Sequence, residues 1–338
     1  MRKTYIDYMK AIGALLVILA HSISTYSESF KLVPRPWGIV SNLCYAVNAT
    51  IFFVIAGYLC HKQDIPGFYH KKETKILVPL ISFSLLKIFY TMFLSERFAH
   101  SDSLWGMIKD AFVYGRLYWF PYTLFVIFLV SPLFWHDTKR DDKRLFLAAL
   151  AMLAFAGWDE YLSLTGKENS ILLLQLNNVF KYMPYFLMGT IFGHLKGDRL
   201  ESFLSKHIPA RLTVCGLLTV FFGYMLVRGL PAGDEVRVIW ELPFHKRLLI
   251  ALPLIYIIYG VSKLLPENIK WLELVGKRSL QILFFDSIFR TVLYSILTKL
   301  TEHQLWMIPV VALMSIVLTV LACEVIKRIT GVRTLIGL

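Results

Sequence analysis

Long apolar blocks separated by short basic connections leave few folds open to this chain. The blocks run over residues 11–20, 39–60, 76–94, 117–135, 171–193, 212–226, 248–265, 280–297 and 306–326, with a weaker tenth over 145–158. Most approach the roughly 20 apolar residues that cross a bilayer as a helix. In hydrocarbon, backbone polar groups must be paired within the segment, which a helix achieves. The expected fold is therefore all-α, a polytopic integral membrane helical bundle of about ten transmembrane helices, with residues 1–338 forming a single domain. Composition agrees: 57% of the residues are hydrophobic and the mean hydropathy is +0.58.

Charge sets the orientation. With the N-terminus inside and the helices alternating, the inner segments are 2–10, 62–75, 139–144, 196–211, 263–278 and 327–333. They hold most of the 36 Lys and Arg residues, so both termini are expected in the cytoplasm. The same bias explains the net charge of +13 without a nucleic-acid partner. The first block lacks a small-residue cleavage site and reads as a retained helix rather than a signal peptide. Cys44, Cys60, Cys215 and Cys323 lie in or at the ends of apolar blocks and form no C-x-x-C, so neither a disulfide framework nor a metal site is expected. Walker, G-x-G-x-x-G, H-E-x-x-H and G-x-S-x-G patterns are absent, and no polar connection is long enough for a soluble catalytic domain. Any chemistry must come from polar residues at membrane depth, which are costly and functional by default.

The stretch "YIDYMKAIGALLVILAHS" (5–22) contains the first of these. Lys10 and His21 are eleven residues apart, within about 20° of one helix face and about 16 Å apart along the axis. Lys10 stands at the inner boundary, so His21 lies beyond mid-membrane. Asp7 precedes Lys10 by three and can share its face. Lys71, Lys72 and Lys75 make "HKKETK" a cationic inner loop, and Asp286 and Arg290 are spaced i,i+4 in the ninth block. That pair can neutralise itself, or its carboxylate can orient His21 or the acceptor. Lys87 and Lys181 lie mid-span, where a wet cavity would accommodate them. The aromatic run "YGRLYWFPY" (114–122), with Trp119 and Tyr122, is an interfacial belt whose Trp can also stack on a sugar.

Five stretches in order carry a resemblance. In "IDYMKAIGALLVILAH" Lys10 and His21 form a basic residue, ten residues, then His; "ATIFFVIAGYL" (49–59), "FYHKKETKILVPL" (68–80), "LYWFPYTLFVIFLVSPL" (117–133) and "GKRSLQILFFD" (276–286) follow. Together they resemble the acyltransferase-3 family of integral membrane O-acyltransferases over nearly the whole chain. The chain departs from that pattern with Lys72 and Lys75 at the two basic positions, where the family carries Arg, with Ala56 for a Ser, and with Asp286 where the family has a His.

The resemblance implies transfer of an acyl group, usually acetyl, from cytoplasmic acyl-CoA as co-substrate, with no bound cofactor. The acceptor it implies is a hydroxyl of an envelope polysaccharide or its lipid-linked sugar precursor, at the inner (cytoplasmic) membrane among membrane lipids. His21, Lys10, Asp7 and Asp286 are then the catalytic candidates. Lys71, Lys72 and Lys75 would bind the anionic donor, since Lys is a workable point-charge phosphate binder. Trp119, Tyr122 and Lys181 would meet the acceptor. A sugar hydroxyl is a poor nucleophile, and a neutral imidazole can take its proton during attack on the thioester; a transient acyl-imidazole is a second route. A flippase for a lipid-linked sugar, or transfer to a peptide or amino acid, are the competing readings.

Overall fold

The computed structural model describes residues 3–30, 33–60, 64–94, 103–134, 142–167, 173–194, 198–228, 243–301, 304–329 and 331–338. Among them the chain is helical, with no β-strand. The helices are α1 (Thr4–Phe30), α2 (Arg35–Tyr58), α3 (Ile65–Lys72), α4 (Val78–Leu94), α5 (Leu104–Ile108), α6 (Trp119–Val130), α7 (Asp142–Leu164) and α8 (Leu176–His194). They continue as α9 (Asp198–Ser205), α10 (Ile208–Arg228), α11 (Phe244–Leu264), α12 (Lys270–Lys277), α13 (Ser279–Leu300), α14 (Met307–Ile326) and α15 (Val332–Leu335).

Each of the ten apolar blocks coincides with a helix, but they differ in how fully they span. Eight helical stretches among the described residues are long and apolar enough to cross a membrane, which makes this a multi-pass membrane protein. The block over 117–135 is shorter, α6 tightening into a 3₁₀ turn at Ser131–Phe134. α8 has 19 residues and follows a turn in which Leu174 and Gln175 adopt positive φ. The weak block over 145–158 is a full helix of 23 residues, and the block over 76–94 extends backwards through a π-helical turn, Glu73–Leu77, into α3. The connections at 95–102, 135–141, 195–197 and 229–242, with Arg97, Lys139, Arg140, Lys196 and Arg237, lie outside the described residues, as do Arg2, Lys31 and Lys62.

Two compact units make up the chain. The first comprises residues 1–52 and 196–322. Its axis is α1, packed by α11, α12 and α13. Small residues let these helices approach: Ala11, Ala14 and Ala20 are fully buried, and a Cβ on Gly276 of α12 would run into the Asp7 carbonyl. Tyr8 locks the entry to α12, its hydroxyl donating to the Pro266 carbonyl at 2.7 Å and accepting from the Ile269 amide at 3.1 Å. Ile23 and Tyr26 of α1 join Leu293, Tyr294, Met307, Ile308 and Val311 in a buried cluster that ties α1 to α13 and α14. α10 packs on α11 and turns Val214, Leu217, Val220 and Phe221 outward, as a lipid-facing helix does.

The second unit comprises residues 53–195 and 323–338. Here the end of α2 meets α8 backbone to backbone. A Cβ on Gly57 would strike the Phe186 carbonyl, and one on Gly189 the Val54 carbonyl. Phe53, Tyr185 and Phe186 fill the interior beside that crossing. α7 packs on α8 and exposes Phe146, Leu150, Leu153 and Leu164 on its other side. α15 packs on α4.

Candidate active site

In the first unit the structure brings His21 and Asp286 together. His21 Nδ1 lies 2.7 Å from Asp286 Oδ2, across 265 residues of sequence. An ionised carboxylate only accepts, so the proton of this bond sits on Nδ1. Nε2 makes no hydrogen bond among the described residues, and the His21 side chain is 32% exposed against 2% for Asp286. The ring is thus held at one nitrogen and open at the other.

α13 presents this carboxylate because Ile282, Asp286, Arg290 and Tyr294 recur every four residues and form one stripe along it. Three of the four reach α1 through polar atoms. Arg290 Nε donates to both Asp286 oxygens at 3.3 Å, and its Nη1 donates to the His21 carbonyl at 3.3 Å and to the Thr25 hydroxyl. Tyr294 donates to the Ser22 carbonyl at 2.9 Å. One carboxylate therefore contacts both the arginine and the histidine. Tyr45 of α2 stands beside the imidazole, ring centroids 6.2 Å apart, with its hydroxyl 2.9 Å from Ser24 Oγ. Thr25, Ser24 and Tyr45 carried no sequence signal, because a lone hydroxyl in an apolar helix looks the same whether it bonds its own backbone or a distant partner.

Lys10 sits about three turns before His21 on the same helix, roughly 16 Å away by helical rise, and Asp7 about four turns before it, roughly 21 Å away. Asp7 is buried where α12 crosses, and Lys10 is half-buried.

The other candidates lie in the second unit. Lys71 is exposed at the end of α3. The Lys72 ammonium rests on aromatic faces, 3.6 Å from the Phe128 ring centroid and 5.1 Å from that of Phe68, a cation–π arrangement. Phe68 at i−4 was legible from helical spacing; Phe128 was not. Lys75, on the π-helical turn, donates to the Gly337 carbonyl at 3.3 Å. Trp119 stacks on Tyr182 at 5.4 Å, and Tyr182 stacks on Phe53 at 4.7 Å. Lys181 Nζ lies 5.9 Å from the Tyr182 ring centroid and Lys87 Nζ 5.3 Å from that of Tyr118. Tyr182 is the organiser here, and no sequence pattern singled it out. The Tyr122 hydroxyl donates to the Phe112 carbonyl at 2.9 Å, and its ring fills the space beside Gly115, which turns the chain at φ +61°. Among the described residues no three His, Cys, Asp or Glu side chains gather as metal ligands would.

Comparison with known proteins places the chain. The model of the acyltransferase domain family Acyl_transf_3 matches residues 3–327. No curated protein and no solved structure matches. A match over nearly the full length, on an all-helical multi-pass chain, means that this protein belongs to the acyltransferase-3 family of membrane acyltransferases.

Proposed function

We propose that this acyltransferase moves an acetyl group from cytoplasmic acetyl-CoA to a sugar hydroxyl of an envelope polysaccharide or its lipid-linked precursor, in the inner membrane, with His21 as the base. The observation that carries this reading is the imidazole bonded to buried Asp286 through Nδ1 at 2.7 Å, with Nε2 unbonded among the described residues. That is the arrangement a general base needs: a carboxylate sets the tautomer and steadies the imidazolium that forms, and the free lone pair meets the substrate.

In the proposed step, Nε2 takes the hydroxyl proton as the sugar oxygen attacks the thioester carbonyl. An oxygen–carbon bond forms, the carbon–sulfur bond breaks, and the proton passes from Nε2 to the leaving thiolate. Asp286 remains ionised throughout. Lys71, Lys72 and Lys75 supply positive charge for the nucleotide end of the donor, the cation of Lys72 being held in place by Phe68 and Phe128. Lys10, with Asp7 a turn earlier, offers a further cation on the inner side. Trp119 and Lys181, gathered around Tyr182, are the acceptor candidates, and Tyr122 supports the turn beside them.

The test is the mass of envelope glycans from cells with the wild-type gene, without it, and with His21→Ala. The reading expects an acetyl increment that requires both the gene and His21. A flippase would change the side on which the glycan appears and leave its mass untouched. A glycan of unaltered mass in all three strains would overturn the proposal.

A further inference from the structure

His21 is tied to two ions rather than one. Asp286 bonds its Nδ1, and Arg290 bonds both the Asp286 carboxylate and the His21 carbonyl. The two ions are largely buried, Asp286 2% exposed and Arg290 15%, while the His21 ring beside them is 32% exposed.

Charge balance in such a place decides which form of the ring is stable. A buried carboxylate must be paired. With histidine as the only cation available, Asp286 would be balanced by a protonated His21. That ring already holds its proton at Nε2 and cannot act as a base. With Arg290 present, the cluster reaches zero net charge while His21 is neutral. Protonating the ring as well would leave an excess positive charge in a low-dielectric setting. Arginine suits the task because it stays charged at any working pH, and here its Nε reaches both Asp286 oxygens while Nη1 reaches the His21 carbonyl.

We propose that Arg290 is a positioning residue that keeps His21 an uncharged base, by balancing the charge of Asp286 so that the carboxylate orients the ring without protonating it. The inference rests on the reading of His21 as the base. Other ionisable groups near this part of α1 do not bond the imidazole. Tyr45 of α2 bonds Ser24, and Tyr294 of α13 bonds the Ser22 carbonyl. α11 carries His245, Lys246 and Arg247 in its first turn and Lys263 in its last. α12 carries Lys270, Glu273 and Lys277 and packs at the Asp7 end of α1. The residues of α14 that join the α1 cluster, Met307, Ile308 and Val311, are apolar.

The test compares wild type, Arg290→Gln, Arg290→Lys and His21→Ala as full-length proteins in inverted membrane vesicles. Transfer of radiolabelled acetyl from acetyl-CoA into glycan is followed from about pH 6 to about pH 9, the range across which histidine charge changes. Arg290→Gln is expected to lose about tenfold or more at neutral pH and to recover as the pH rises, its acid limb displaced by about one unit or more. Arg290→Lys, which keeps the cation but not the guanidinium contacts, is expected to keep the wild-type acid limb at a reduced rate. Activity lost by Arg290→Gln in equal proportion at every pH, or not lost at all, would overturn the inference. A second measurement does not depend on the Gln variant folding. In ¹⁵N-histidine-labelled wild type, the His21 signal, identified by its absence from His21→Ala, is expected to be that of a neutral ring protonated at Nδ1 near neutral pH. An imidazolium there would overturn the inference. Near-normal transfer by His21→Ala would instead sink the reading of His21 as the base, so the two failures are distinguishable.

Discussion

The two units carry their polar groups in opposite ways. In the first, His21, Asp286, Arg290 and Thr25 form one connected set in which Asp286 bonds both His21 and Arg290, and Arg290 also bonds Thr25. In the second, the candidate lysines rest on separate groups. Lys72 leans on Phe128, Lys75 on the Gly337 carbonyl and Lys181 near Tyr182, each with its own support. A buried ionic network resists substitution because every partner is desolvated, whereas partly exposed cations act through charge that salt can screen. The first arrangement suits an atom that must be placed to a fraction of an ångström. The second suits attraction of a large anion.

The sharpest way to break that contrast is His21→Ala. It is expected to remove glycan acylation, by roughly 10²–10⁴-fold or to background, while the protein accumulates normally in the membrane. Quantifying acylated glycan against membrane-inserted protein checks this, and near-normal acylation would end the special status of the first unit.

Asp286→Asn comes next. It leaves Arg290 without its carboxylate and is expected to cost about 3 kcal/mol of stability as well as about 10²-fold or more in activity. Adding Arg290→Gln removes the stranded cation, so the double variant is expected to regain thermal stability in detergent and to stay inactive. A stable and fully active double variant would reduce Asp286 to half of a structural ion pair.

Glycine contacts sharpen the comparison within the scaffold. Gly276→Val forces α12 away from the Asp7 carbonyl, on the helix that carries His21, and is expected to lower activity as well as stability. Gly57→Val strikes the Phe186 carbonyl and is expected to cost about 1–3 kcal/mol of stability first. Melting temperature and acylation rate, measured on the same preparations, separate the two patterns; matching losses in both variants would erase the distinction.

The smallest effects are expected from Lys72→Glu and Lys75→Glu. Each should raise KM for acetyl-CoA several-fold, in line with the ~1 kcal/mol of an exposed ion pair, leave kcat near wild type, and lose its effect as salt is raised. An unchanged KM at low salt in both variants would remove the second unit from donor binding.

What could be read in advance follows from periodicity and spacing. His21 and Lys10 share a helix, so their separation is arithmetic. Asp286 and Arg290 share another, so their mutual contact is arithmetic too, and the depth of Asp286 pointed towards His21. The Thr25 and Tyr45 contacts depend on how α1 lies against α13 and α2, and no periodicity within one helix encodes a neighbour's rotation. The same holds for Phe128 beneath Lys72 and Tyr182 beneath Trp119. The bond from the Tyr122 hydroxyl to the Phe112 carbonyl, beside the turn at Gly115, is likewise a tertiary contact that no periodicity announced.

By itself the sequence determined the solvent and the class of fold: blocks this apolar must lie in lipid, and in lipid the backbone must satisfy itself as helix. It also determined which costly polar residues had to be explained, His21 and Asp286 foremost. Only the tertiary structure decided how they are explained. Whether Asp286 answers to Arg290, to His21 or to both depends on the register of α1 against α13, set by close approach at Gly276 and by the apolar cluster around Ile23 and Tyr294. Those contacts join residues more than 250 positions apart, and their geometry arises from packing many side chains at once rather than from any local pattern.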